Sequence, residues 1–261
     1  MTLIRHELKQ AWKALLIWTL SIGAFIVICL FMYPEMKSQM NSISSIFSSM
    51  GMFSSAFGLD TLDFGSLKGF YGIECGNILG IGGALFAALI GIAALANEEK
   101  NGTAEFLLTH PVSRTRIVTE KLIAVVIQIT AMNLIIYGLA VVSMTAIGEK
   151  IPWKELNLLH LAYYLMQLEL AGICFGVSAF LRKGSAGIGI GVAVGMYFLN
   201  LIANISDSAS FLKYVTPFGY CDGADIAANG RLDGTLLAIG LGLTVIGILA
   251  AYWHYPRKDI H

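Results

Sequence analysis

Residues 71–96 read YGIECGNILGIGGALFAALIGIAALA, and residues 97–121 continue as NEEKNGTAEFLLTHPVSRTRIVTEK. The first block holds one ionisable carboxylate, Glu74, in an otherwise apolar run. A bilayer core about 30 Å thick is crossed by about 20 predominantly apolar residues in an α-helix, so this block is long enough to span. The second block is too polar to stay in hydrocarbon. The boundary between Ala96 and Asn97 is therefore where a membrane helix leaves the bilayer, and it sets the class of the whole chain.

The same ruler applied outward finds six apolar segments, at about 15–33, 71–96, 119–147, 157–181, 185–204 and 235–253. None alternates apolar and polar residues as a barrel strand does, and helices satisfy their own backbone inside lipid. Composition agrees: hydrophobic residues are 56% and charged residues 13%, well below the roughly 25% charged residues usual in soluble domains. The expected fold is an all-α integral membrane protein, one transmembrane domain over residues 1–261. It would have six transmembrane helices, an N-terminal interfacial helix over 1–14 and a cytoplasmic segment over 97–118.

The formal net charge is zero, which gives no global basic field for nucleic acid. The four cysteines show no CxxC spacing, so neither a disulfide framework nor a zinc site is indicated. The first apolar run continues to Tyr33 without a small-residue cleavage pattern and reads as a retained span.

Orientation follows from the Lys and Arg residues of the loops. With the N-terminus inside, Arg5, Lys9, Lys13, Lys100, Arg114, Arg116, Lys121, Arg182, Lys183, Arg257 and Lys258 fall on the cytoplasmic side, against six cations outside. Both termini and the 97–121 stretch are thus expected in the cytoplasm of a cell, the chain being multi-pass in its plasma membrane. In residues 1–14, Arg5, Lys9 and Lys13 oppose a partly apolar side with Trp12, which suits a helix lying against anionic lipid. Residues 34–69, rich in Ser, Met and Phe, are expected to form a partly helical outer cap. Residues 205–233 mix polar residues with an aromatic block ending in Pro217, Phe218, Gly219 and Tyr220. They fit either short helices dipping into the outer leaflet or an ordinary outer loop.

Three polar residues inside the apolar segments are candidates for a pathway or for helix packing: Glu74, Asn77 and Glu169. Gly72, Gly76, Gly80, Gly83, Ala87 and Gly91 form a small-residue stripe that favours close helix approach, with Glu74 and Asn77 expected on nearly the opposite side. Glu169 shares a face with Gly172 and Gly176. An ionisable group at such depth either hydrogen-bonds a neighbouring helix or contacts a translocated species. No GxxxxGK[ST] or HExxH sequence is present, so neither a P-loop nor that zinc-protease motif is available.

Within 97–121, Gly102 breaks the helix and Thr103 can cap the next short one; Phe106, Leu107 and Leu108 make an apolar knob, Pro111 stops the turn, and Ser113 caps the following helix. The segment resembles the cytoplasmic stretch of ABC-2 type transporter permeases, approximately E-x-x-x-G-T-x-E-x-L-L-x-x-P-V-S-R and then a Lys. The matching residues are Glu98, Gly102, Thr103, Glu105, Leu107, Leu108, Pro111, Val112, Ser113, Arg114 and Lys121. The six-span layout and the aromatic-proline block before the last span are also similar.

The resemblance implies a membrane subunit whose ATPase is a separate polypeptide. This chain would then bind no cofactor and be no enzyme by itself; ATP and Mg would be held in two ATPase subunits. Those would dock on a coupling helix comprising Glu98, Glu99, Gly102, Thr103, Glu105, Phe106, Leu107, Leu108, Pro111, Val112, Ser113 and Arg114. A second permease subunit and membrane lipid are the other expected partners, and nucleic acid is not. Export of an apolar or amphipathic compound is the function expected. An ion-coupled carrier or channel using Glu74 and Glu169, or a non-transporting peptide-sensing or immunity subunit, stand as alternatives.

Overall fold

The computed structural model describes residues 2–39, 66–100, 113–181 and 186–258. All the regular structure among them is helical, and six helices are long and apolar enough to cross a membrane. The protein is an all-α, multi-pass membrane protein.

The first helix, α1, runs from Thr2 to Ser38. The N-terminal residues expected to lie separately in the interface continue into the first span without a break. Lys13, Ala14, Leu15 and Leu16 are all good helix formers, so nothing in the sequence ends the helix where the apolar stretch begins. Pro34 is tolerated one turn from the end. Next come a single turn, α2 (Leu67–Phe70), a π-helical turn (Tyr71–Cys75) and α3 (Gly76–Lys100), which together make one continuous span. Helix α4 (Arg114–Ala146) starts at Ser113, whose hydroxyl accepts from the Arg116 amide at 3.3 Å. Helices α5 (Trp153–Phe180) and α6 (Ala186–Ile205) follow.

Residues 207–229 then form three short pieces: 3₁₀ turns at Asp207–Tyr214 and Pro217–Tyr220, and the short helix α7 (Gly223–Asn229). Asp222 caps α7 by accepting from the amides of Ala224 (2.9 Å) and Asp225 (3.3 Å). Gly230 closes it with φ +59°, the left-handed conformation glycine adopts at least cost. The last span, α8 (Gly234–His254), is capped by Asp233 and ends in a 3₁₀ turn, Tyr255–Arg257.

Helix α5 is the centre of the bundle, packed by α3 on one flank and α8 on another. The glycine stripe of α3 faces it: Gly76 and Gly80 lie against the Tyr163 ring, Gly83 against Gln167, and Gly91 against Ala171 and Cys174. On its other flank, Gly172 meets Thr244 and Gly176 meets the backbone of Gly247. Small residues at these points let the helix axes approach closely, which is how van der Waals contact holds helices together in lipid. Helix α1 packs on α4 and on the start of the second span. Its outer face carries Ile17, Leu20, Phe25 and Phe31, all more than half exposed, as expected where a helix meets acyl chains rather than protein.

The buried Pro217, Phe218 and Tyr220 fold the 207–229 segment inward onto the bundle. Gly72 and Gly223 touch backbone to backbone, so α7 sits directly on the π-helical turn. Both described termini lie at one end of the bundle, which is called the terminal end; the other is the far end.

Candidate functional site

Two sets of polar contacts stand out, one at each end, with a polar layer between them.

At the terminal end the first turns of α4 are fastened to three other elements. Arg114 donates to the carbonyls of Lys258 (2.6 Å) and Pro256 (3.3 Å) in the tail after α8. Lys258 in turn donates to the Leu181 carbonyl at the end of α5 (2.6 Å). Lys121, only 2% exposed, forms an ion pair with Glu7 of α1 at 2.6 Å. Glu120 accepts from Arg116 (2.8 Å) and from the Ile4 amide (3.3 Å). In the same turn, the hydroxyls of Thr119 and Tyr252 are 2.7 Å apart and link α4 to α8. The charge-assisted bonds of Arg114, Lys258 and Glu120 are roughly twice as strong as neutral ones, and loss of either partner of the Lys121–Glu7 pair would strand a charge.

Of the residues expected to form the docking surface, Ser113 caps α4 and Arg114 holds the C-terminal tail. Glu98 and Glu99 lie in the last turn of α3. Gly102, Thr103, Glu105, Phe106, Leu107, Leu108, Pro111 and Val112 lie outside the described residues.

Midway through the bundle, Asn133 of α4 donates to Gln167 of α5 at 2.6 Å and to its own Ile129 carbonyl at 2.9 Å. Glu169 points the opposite way, against Gly240 of α8, where any side chain would collide with its carboxylate. It is fully buried, and its one polar side-chain neighbour among those that act on it is the Tyr220 hydroxyl. Thr244 donates to the Glu169 carbonyl at 3.3 Å, so the α5–α8 seam holds the backbone of this residue.

Near the far end a cleft of about 50 Å³ opens between α3, α5, α6 and the 217–224 segment. Its polar lining comes from Asn77, Tyr163, Tyr197, Asn200, Asn204 and Asp222. The Asn200 side-chain carbonyl is buried and has no partner. A volume of this size admits a water molecule or a small polar group, and amide and phenol groups can both donate and accept hydrogen bonds there.

The three polar candidates of the spans are not brought together. Asn77 lines the cleft beside Gly76 and Gly80. It therefore flanks the glycine stripe instead of opposing it, because both lie on the regular helix α3, where consecutive residues stand about 100° apart. Glu74 lies half-buried in that π-helical turn and is not part of the cleft lining. Glu169 faces α8. Sequence reading missed Asn200 and Asn204, although two asparagines four residues apart in an apolar span are a visible signal. It also missed the Asn133–Gln167 bridge, which joins residues far apart in the chain. Among the described residues, no group of three or more His, Cys, Asp or Glu side chains could hold a metal ion.

The family model described as ABC-2 family transporter protein matches residues 1–260. The chain belongs to that family. No curated protein matches it. As an ABC-2 family member with six apolar helices, it is a membrane component of an ABC transporter, and the catalytic role in such a system lies with an ATPase partner.

Proposed function

We propose that this ABC-2 protein is an exporter permease. Two such subunits, alike or different, would form the pathway, and two separate ATPase subunits holding ATP and Mg would dock from the cytoplasm on the coupling segment. That segment comprises Glu98, Glu99, Gly102, Thr103, Glu105, Phe106, Leu107, Leu108, Pro111, Val112, Ser113 and Arg114. In this reading the terminal end is cytoplasmic, in the plasma membrane of a cell. The cargo is apolar or amphipathic: a peptide, an antibiotic or a lipid-like compound.

The observation that carries the reading is the fastening of α4 at its start. A displacement delivered just before Ser113 reaches Arg114 and Lys121 first, and through them the C-terminal tail, the end of α5 and α1. A push on one short segment would thus be shared among four elements, which is what domain closure in a partner needs in order to shift a bundle between two packings. ATP binding in that partner would supply the differential affinity that biases the equilibrium. The cleft containing Asn77, Asn200 and Asn204 is the proposed polar contact point on the pathway.

The test is co-purification of the chain with a P-loop ATPase encoded beside it, with substitutions Leu107→Asp and Glu105→Arg. We expect both to abolish the complex and the stimulated ATPase activity. Retention of both in either variant would sink the docking assignment.

A second reading, an ion-coupled carrier, is favoured by one observation: the fully buried carboxylate of Glu169, with no cation beside it among the described residues. It requires transport that follows a proton or sodium gradient, persists after ATP depletion and stops in Glu169→Gln. The export reading requires the reverse on the first two counts.

A further inference from the structure

The seam between α1 and the second span runs in a fixed antiparallel register. Trp18 packs on Phe86 with ring centroids 6.2 Å apart, and Ile22 lies over Gly82, whose added Cβ would sit 3.0 Å from it. Two turns farther along α1 the same register brings Cys29 opposite Cys75, side chain toward side chain. Next along the seam, Tyr33 meets Phe70, with centroids 5.1 Å apart.

On α1, Cys29 and Tyr33 are four residues apart, one α-helical turn. Their partners Phe70 and Cys75 are five apart, and that spacing is one turn of a π-helix. The Tyr71–Cys75 π-helical turn therefore keeps both partners on the face that meets α1. A regular α-helix in that place would carry one of them off the seam.

The other two cysteines are occupied elsewhere. Cys174 packs against Gly91. Cys221 donates to the carbonyls of Ala162 (3.3 Å) and Pro217 (3.5 Å), and burial pushes its thiol well above the ordinary range. Cys75 is buried, while Cys29 is partly exposed at the bundle surface, so a small reagent can reach the pair from one side.

We propose that Cys29 and Cys75 are a redox-sensitive thiol pair that a peroxide converts to a disulfide, tying α1 to the π-helical turn. The Cys29 sulfur attacks one peroxide oxygen, the O–O bond breaks, and a sulfenic acid and one water form. The Cys75 sulfur then displaces the sulfenic oxygen as a second water. Two thiols and one hydrogen peroxide give one disulfide and two waters, with the sulfurs oxidised and the peroxide reduced. Because an S–S bond is about 2.0 Å long, the reaction draws the two helices together at this point. The proposal holds whether or not an ATPase docks on the chain.

The experiment uses the full chain in lipid vesicles, treated in parallel with hydrogen peroxide and with diamide, a membrane-permeant thiol oxidant. The protein is then denatured, alkylated with N-ethylmaleimide and mapped by peptide mass spectrometry. We expect a linked Cys29–Cys75 peptide with both reagents, lost on dithiothreitol treatment, with Cys174 and Cys221 alkylated throughout. Cys29→Ser and Cys75→Ser should each abolish the link and leave the remaining member alkylated. Four alkylated cysteines after both oxidants would overturn the proposal. So would a link to Cys174 or Cys221, over-oxidation of Cys29 without a link, or a disulfide that joins two chains.

Discussion

The terminal end of this bundle and the cleft near its far end handle polarity in opposite ways. At the terminal end, Arg114, Arg116 and Lys121 all meet a carboxylate or a backbone carbonyl. The contacts of Arg114 and Lys121 join elements distant in sequence. At the far end the polar groups around the cleft are mostly neutral amides and phenols, and Asn200 leaves a buried carbonyl without a partner. Satisfied charge holds structure together, whereas a buried polar atom left open costs free energy unless something visits it. The first pattern suits a part that must move as a body; the second suits a part that must receive a guest.

The comparison breaks most visibly at Lys121. Lys121→Met leaves Glu7 facing a largely dry site, and removal of one partner of a buried pair costs about 3 kcal/mol. Unfolding of the reconstituted protein by denaturant should show that loss, and the double variant Glu7→Gln with Lys121→Met should regain a large part of it. Equal stability of Lys121→Met and the parent would mean the terminal end is not fastened as described. A smaller effect is expected in the middle. Gln167→Leu removes the acceptor of Asn133, and interhelical hydrogen bonds in membranes contribute about 0.6 kcal/mol, at most about 1.7. The same denaturation assay would read it.

The smallest stability change is expected at the far end. Asn200→Leu deletes an unpaired carbonyl, so stability should stay within about 0.5 kcal/mol of the parent or rise. Transport, or substrate-stimulated ATPase activity of the assembled system, should fall by contrast. A large destabilisation with unchanged transport would reverse the roles of the two ends.

Much of the helical layout could be read from the chain because apolar length is a local property. The stretches around α3, α5 and α8 stand out by composition alone. The junction at residue 14 could not be placed that way, since hydropathy marks where lipid begins and says nothing about whether a helix stops there; α1 does not. The face of α5 bearing Glu169, Gly172 and Gly176 was legible from spacing, and it meets α8. Its neighbours across the seam were not, because pairing Glu169 with Gly240 or Gln167 with Asn133 depends on which helices are adjacent. The π-helical turn was invisible for another reason: it shifts the phase of a span by one residue without changing its composition. At the proposed docking segment the motif can be read in the sequence, while most of its residues fall outside those described.

The glycines of α3 have a mechanical consequence. Gly76, Gly80 and Gly83 receive Tyr163 and Gln167 as teeth in notches, and Gly240 receives Glu169 on the other side of α5. Notched surfaces resist sliding, because displacement by a fraction of a turn drives each tooth into a neighbouring side chain. The α3–α5–α8 unit is thereby indexed like a gear train. Any travel during a work cycle must be taken up where the teeth are absent, by whole-unit rotation or along the smoother contacts of the surrounding helices.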